Sequence, residues 1–284
     1  MNEDPRPVSV VIPAHNESSG IIRLLNSLGS GGAPDVQLIV VCNGCTDDTA
    51  ERAREVGDGV VVIEVPVPSK RAALDVGDGV ARFEYRAWVD ADVVISLGDV
   101  RRLVRALGNR VKVAAPAREL VLAHSSLPVR WYYEVWQALP QVAGGVFGRG
   151  VVVMSPEGHR RVAELPAVMS DDLAVSEAFL PEERAVVSEA TVRIQAPTNL
   201  RDLLRRRIRV ATGNAQLDAL GIRTTPARTT PRTLARIALA KPSRMPKVAV
   251  FLAVTVLARS LARRRVRSGD FTTWLRDESS RAVS

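Results

Sequence analysis

Two carboxylates stand two residues apart in Val89-Asp90-Ala91-Asp92, at the end of a short apolar run. Hard divalent cations take oxygen ligands, and a diphosphate must have its charge neutralised before it can leave. A pair of this spacing suits that chemistry. A solvated turn with a capping Asp is the plain structural alternative, and the apolar run leading into the pair weighs against it. Further polar groups follow other apolar runs: His15-Asn16-Glu17 comes after 8–13, and Asn43 after 36–41. Asp171-Asp172 opens another segment, where an acidic pair can also cap a helix. Cys42-Asn43-Gly44-Cys45 is a C-x-x-C, but the chain holds only 2 cysteines and so lacks the second pair of a zinc site. Small residues in a loop are the expected reading. Trp131, Tyr132, Tyr133 and Trp136 cluster at helical spacing, which predicts core packing first and a stacking wall second.

These residues need elements to position them. The β-branched runs 8–13, 36–41, 59–65 and 85–89 predict strands. Helices are predicted at 20–28, after Thr46 as a cap with Asp47, Asp48 and Glu51 in the first turn, and from about Lys70. This β-loop-α alternation predicts a parallel sheet covered by helices on both faces. Ligands bind such sheets at the carboxyl ends of the strands, where His15, Glu17, Asn43, Asp90 and Asp92 all fall. Beyond Asp99 the pattern predicts a helix, a strand at 111–116, a helix at 130–139, a loop at 144–150 and a strand at 151–154. A helix starts at Ser155-Pro156-Glu157, another covers 171–180, a strand covers 192–195, and a basic amphipathic helix covers 200–214. Residues 221–246 are rich in Thr, Pro and Arg and read as a linker or surface-wrapping segment.

Hydrophobic residues make up 46% of the 284 residues and aromatics only 4%, so the core must be aliphatic. Charge is unevenly spread. Residues 201–267 hold 17 Lys or Arg against two acids, Asp202 and Asp218, although the whole chain is only +8. A basic final quarter on a net acidic body suits an anionic partner. The N-terminal residues do not form a signal peptide, and two cysteines fit a cytoplasmic, reducing setting. The apolar run 248–258 has 11 residues, short of the roughly 20 a spanning helix needs. Followed by arginines over 259–267, it is expected to pack on the body or to lie peripherally on the inner face of a membrane.

Five segments in order resemble the family 2 glycosyltransferases of GT-A fold. They are 8–18 (VSVVIPAHNES), 40–49 (VVCNGCTDDT), 70–77 (KRAALDVG), 88–92 (WVDAD) and 170–173 (SDDL), followed by a basic stretch at 205–213 (RRRIRVATG). The resemblance covers about residues 8–215. It implies that Pro13, Ala14 and Glu17 line the nucleoside and that Asn43 stands at a base-contacting position. His15, beside Asn16 in the first loop, is a candidate for contact with donor phosphate, with loop packing as the alternative. The resemblance implies further that Lys70 belongs to the donor site, that Asp90 approaches the ribose, and that Asp90 and Asp92 hold Mn²⁺ or Mg²⁺. Asp172 would be the general base, with Asp171 as its neighbour. Arg205, Arg206 and Arg209 would meet the diphosphate. Cys42, Asn43 and Cys45 depart from the family's acidic loop, and its aromatic-bearing basic motif is not intact here.

The expectation is therefore an α/β GT-A domain at 1–215, Rossmann-like and mostly parallel, with a basic helical extension at 216–284. The implied activity is inverting, metal-assisted hexosyl transfer from a nucleoside diphosphate sugar, a UDP-sugar favoured, to an acceptor hydroxyl, with a lipid-linked acceptor as one option. Two rivals remain. A nucleotidyltransferase on a similar sheet normally carries a Gly-rich basic loop after its first strand, where this chain has Ala14-His15-Asn16-Glu17. A non-catalytic nucleic-acid or membrane binder would use the basic quarter, but Phe251 is its one aromatic for stacking on bases.

Overall fold

A computed structural model of the chain describes residues 6–29, 33–224 and 228–268. Its first half follows the predicted alternation. Strands β1 (Val8–Ala14), β2 (Val36–Asn43), β3 (Val60–Val65) and β4 (Tyr85–Val89) are joined by helices α1 (Ser18–Ser27), α2 (Thr49–Glu55) and α3 (Lys70–Gly79). β1 lies between β2 and β4, and β3 flanks β2, all parallel. Every residue of β1 and β2 is buried. That is why they read as continuous apolar runs, since central parallel strands are covered on both faces.

The second half is mixed. It contains β5 (Val93–Ile95), α4 (Leu97–Ala106), β6 (Val113–Val121), α5 (Leu127–Gln137), α6 (Pro140–Gly144), β7 (Val151–Met154), α7 (Pro156–Ala163), α8 (Asp171–Glu177) and β8 (Arg184–Gln195). β7 runs antiparallel to β4 and β6, while β6 and β8 are parallel and β5 pairs antiparallel with β8. The result is one eight-stranded sheet in the order β3-β2-β1-β4-β7-β6-β8-β5. Alternation along β1 sends Val10 and Ile12 to one face, with Leu24, Leu25, Val100 and Leu103. Val11 points to the other face with Leu74, Met154 and Val175. Each such buried aliphatic side chain contributes about 1.5–3 kcal/mol.

The described residues end with α9 (Leu200–Ala219), α10 (Pro231–Ala240) and α11 (Met245–Arg267). Tyr132 and Trp136 of α5, Leu203 of α9, Leu234 and Ile237 of α10, and Phe251 and Val254 of α11 form a separate apolar cluster. The Tyr132 and Phe251 rings stack at 5.0 Å. The aromatic segment is thus core, as its spacing predicted, and residues on both sides of position 215 share that core.

Several local expectations are corrected. Thr46 does not cap α2, which starts at Thr49 after Asp48. The Thr46 amide donates to Asn16 Oδ1 at 2.7 Å instead, tying the two loops together. The linker predicted at 221–246 contains α10, capped by Thr230. The strand predicted at 192–195 begins at Arg184. The short apolar run 248–258 sits within a 23-residue helix. With the turn before it, that helix spans Pro242–Arg267 and is long and apolar enough to cross a membrane by length and composition. Its Val248, Phe251, Val254, Ala258 and Ala262 are buried against the body.

Candidate active site

The loop after β1 is shaped by its own polar atoms. Asn16 takes a positive φ of 52°, a conformation Asn tolerates better than most residues. Its side chain meets Thr46, and the Glu17 amide donates to Thr49 Oγ1 at 2.9 Å. The His15 ring donates from Nδ1 to the Asn43 carbonyl at 2.5 Å. Asn43 Nδ2 donates to the Ala14 carbonyl at 2.8 Å. Strands β1 and β2 are adjacent and parallel, so their carboxyl ends deliver these two loops to one edge.

Asp90 and Asp92 follow β4 at the same edge. The Asp90 amide donates to the Gly150 carbonyl at 2.7 Å. Gly150 has φ +65°, and a Cβ there would approach Val93 Cγ1 to 2.6 Å and Asp90 Oδ2 to 3.3 Å. Only glycine lets this turn lie against the acidic loop. Lys70, at the start of α3, is capped in place by Ser69. Its Nζ lies 2.8 Å from Asp90 Oδ1 and 2.9 Å from Asp171 Oδ2. One ammonium therefore joins two carboxylates that lie far apart in the chain.

Burial pushes the Asp90 carboxyl above the usual carboxylate range; Lys70 pulls against this, and Asp92 and Asp171 add to it. Burial would lower the Lys70 ammonium, but Asp171 and Asp90 outweigh it and hold the group above the ordinary lysine value. Asp92 is exposed and makes no hydrogen bond or ion pair among the described residues.

Asp171 and Asp172 open α8. Asp172 accepts from the Gly148 amide at 2.8 Å and from the Leu173 amide at 2.7 Å. The loop bearing Gly148 is anchored by buried Arg149, which donates to the Gly145, Pro116 and Ala143 carbonyls at 3.0, 2.9 and 2.9 Å. Burial brings the Arg149 guanidinium down to about 10. Arg118 stacks over Trp136 at 4.6 Å. Burial, then Arg149, bring Arg118 down to about 9, opposed by Asp172. The turn before Asp171 is set by α9. A Cβ at Gly213 would overlap the Ser170 hydroxyl and lie 3.0 Å from the Ser170 Cβ and amide nitrogen.

These groups share one cleft of about 1100 Å³, lined by Pro13, His15, Glu17, Asn43, Lys70, Asp90, Asp92, Asp171 and Asp172. Arg206 and Arg209 line it too, and burial followed by Arg206 depresses the Arg209 guanidinium against the pull of Asp92, Asp172 and Asp90. Two predicted residues do not line it. Ala14 is fully buried and offers its carbonyl to Asn43. Arg205 turns one helical step back to pair with Asp202 at 3.1 Å. Sequence reasoning missed Arg207, Gln141, Arg223, Arg228 and Arg259, which also line the cleft. The +15 balance of 201–267 was the one signal for the arginines, and Gln141 had none. The cysteines are free; Cys42 is buried, and burial together with Cys45 pushes its thiol up to about 12.

The carboxylate-rich cleft lies at the carboxyl ends of β1, β2 and β4, where wound α/β sheets bind their ligands. Residues 9–140, from β1 through the Asp90–Asp92 loop to α6, match the family described as glycosyl transferase family 2. That match spans slightly under half of the chain, and the GT-A architecture of the solved structures agrees with it. The matched segment ends before Asp171. No curated protein matches the chain. Among solved structures, a mannosyltransferase from Pyrobaculum calidifontis in complex with GDP-Man and Mn²⁺ is similar at a TM-score of 0.63 and 19% identity, over 99% of this chain and 87% of that one. Glucosyl-3-phosphoglycerate synthase from Mycobacterium tuberculosis with phosphoglyceric acid is similar at 0.56 and 23% identity, over 78% and 82%. The same synthase with Mn²⁺, UDP-glucose and phosphoglyceric acid gives 0.53 and 22%, over 78% and 82%.

Proposed function

We propose that the chain transfers a hexosyl group, with inversion, from a nucleoside diphosphate sugar to an acceptor hydroxyl. One observation carries this reading: Asp90, Asp92, Asp171 and Asp172 gather with Lys70 in one cleft at the ends of parallel strands. Pro13, Glu17 and Asn43 form the wall for the nucleoside, and a UDP-sugar is the favoured donor. His15, Arg206 and Arg209 face the diphosphate. The donor set suits Mn²⁺ or Mg²⁺, since Asp92 is exposed and Asp90 is adjacent, and such ions commonly take one or two carboxylates plus substrate phosphates. The bound ion would offset the charge of the departing diphosphate. Asp171 is engaged by Lys70, so it serves as the support for that ammonium. Asp172, fixed by two amides, is oriented to accept the proton of the attacking hydroxyl. Attack from the face opposite the leaving group inverts the anomeric carbon.

The test is a thermal-shift screen of UDP-, GDP- and dTDP-sugars with and without Mn²⁺. One donor should stabilise the wild type, and Asp92→Ala should remove the metal-dependent part. Asp172→Asn should keep donor binding and lose transfer; normal turnover by that variant refutes the base assignment.

A cytoplasmic protein held peripherally at the inner membrane face is the setting this reading favours. Leu252, Val256 and Leu257 are 42%, 59% and 50% exposed on α11, and Arg263, Arg264 and Arg267 follow them. Exposed apolar residues followed by arginines suit contact with an anionic interface. Leu252→Glu with Val256→Glu should reduce co-sedimentation with phosphatidylglycerol vesicles; unchanged binding would exclude α11 as the contact.

A further inference from the structure

The loop that holds the candidate base is itself held from behind. Gly148 has φ +63°, and its amide donates to Asp172 Oδ2 at 2.8 Å. A Cβ built on Gly148 would lie 3.4 Å from Trp136 Cη2 and 3.7 Å from Arg118 Nη1. Gly148 thus meets the Asp172 carboxylate through its amide and packs its Cα toward Arg118 and Trp136. The Arg118 guanidinium lies over the Trp136 ring at 4.6 Å, and its Nη2 donates to the Val142 carbonyl at 2.6 Å. Arg149 Nη2 reaches the same carbonyl at 3.3 Å. Arg118 belongs to β6, and Arg149 Nη1 donates to the carbonyl of Pro116 on that strand at 2.9 Å. The segment 142–149 is therefore fastened to β6 at both its ends.

The charge of these fastenings is not cancelled nearby. Arg118 and Arg149 donate to backbone carbonyls, and neither makes an ion pair among the described residues. Arg118 Nη1 is buried and has no hydrogen-bond partner among the described residues. A buried cation without a countercharge is costly, and its field is strong at the nearest anion. Burial, Arg149 and Arg206 all weigh against the Arg118 guanidinium, and Asp172 is the acid that opposes them. Arg118 does not line the cleft, so its guanidinium acts across Gly148 rather than by touching a ligand. Arg209 acts on Asp172 from the opposite side, as part of the cleft wall.

We propose that Arg118 is a positioning residue for the reaction: across Gly148, its fixed cation draws the Asp172 carboxylate onto the Gly148 amide and leaves it aimed at the acceptor hydroxyl. This rests on the reading of Asp172 as the base. A reacting group misplaced by about 1 Å can cost about a hundredfold in rate, so loss of the support should fall on turnover. The nucleoside wall of Pro13, Glu17 and Asn43 belongs to other loops, so donor binding should be spared.

The test compares variants of the full chain. Arg118→Gln keeps a donor for the Val142 carbonyl and loses the charge, whereas Arg118→Lys keeps both. Release of nucleoside diphosphate is followed with the donor that the thermal-shift screen selects, Mn²⁺, and glycerol as a simple hydroxyl acceptor. Arg118→Gln should lower kcat about ten- to hundredfold with the donor KM within about twofold of wild type. Arg118→Lys should recover most of that loss. A second measurement needs no turnover: Tm is read for wild type, Arg118→Gln, Asp172→Asn and the double variant. Groups that interact do not add, so Arg118→Gln should be less favourable to Tm with Asp172 present than in Asp172→Asn, by about 2 °C or more. If Arg118→Gln does not fold, Arg118→Met, which keeps the packing on Trp136, takes its place. Normal kcat in the uncharged variant, loss of donor affinity in step with kcat, or additive Tm values each overturn the proposal. Normal turnover by Asp172→Asn refutes the base reading instead, and the Tm cycle still decides whether Arg118 acts on Asp172.

Discussion

Replacing Lys70 with Met removes the one cation that joins Asp90 to Asp171 while keeping most of the aliphatic stem. The Lys70, Asp90 and Asp171 side chains are 29%, 38% and 31% exposed, so this is neither a surface pair nor a dry one. Exposed pairs contribute about 0–1 kcal/mol, and removing one partner of a fully buried pair costs about 3–5 kcal/mol. Two contacts at 2.8 and 2.9 Å, discounted for a third of solvent access, give a loss of roughly 2 kcal/mol. For a chain of this length that lowers Tm by about 4–8 °C. The loss should depend on the divalent cation. With Lys70 gone, Asp90 and Asp171 lose the ammonium they share, so Mg²⁺ or Mn²⁺ should raise Tm more in Lys70→Met than in the wild type. Differential scanning fluorimetry with and without excess chelator reads both effects. Should Lys70→Met melt with the wild type and respond no more strongly to metal, the ammonium does not hold these carboxylates together.

Other perturbations test the supports of the site. Gly213→Ala should gain up to about 1 kcal/mol in helix propensity. The clash with Ser170 should outweigh that gain, since overpacking costs about 1–3 kcal/mol. Turnover should fall further than stability, because Ser170 precedes both candidate acids; kinetics and urea unfolding on one preparation check it. Cys42, buried with its thiol pushed up to about 12, stays protonated at pH 8. Native iodoacetamide treatment followed by peptide mass analysis should leave Cys42 unlabelled until the protein is unfolded; rapid native labelling contradicts the packing of β2.

How much of this was legible beforehand depends on the range of the interaction involved. The β-branched runs of β1, β2 and β4 had to be buried strands, and polar loops after them had to share one sheet edge. The placement of His15, Glu17, Asn43, Asp90 and Asp92 followed from that local logic. Ser69 and Ser155 cap α3 and α7 for equally local reasons, through hydroxyls that accept from amides three residues on. Thr46 failed as a cap because a loop residue distant in sequence, Asn16, engages its hydroxyl through Nδ2 at 3.2 Å. Arg205 failed as a ligand because helix phase set it beside Asp202, whereas Arg207 faced the cleft.

The amino-acid order by itself determined which chemical groups would stand at the strand ends, since period, burial and capping act over a few residues. Tertiary structure alone decided that Lys70 would join Asp90 to Asp171, that Gly148 would hold Asp172, and that α11 would bring Arg259 to the same cleft as the arginines of α9. Those contacts depend on the reversal at β7 and on how helices far apart in the chain pack, and neither leaves a periodic trace in a single sequence.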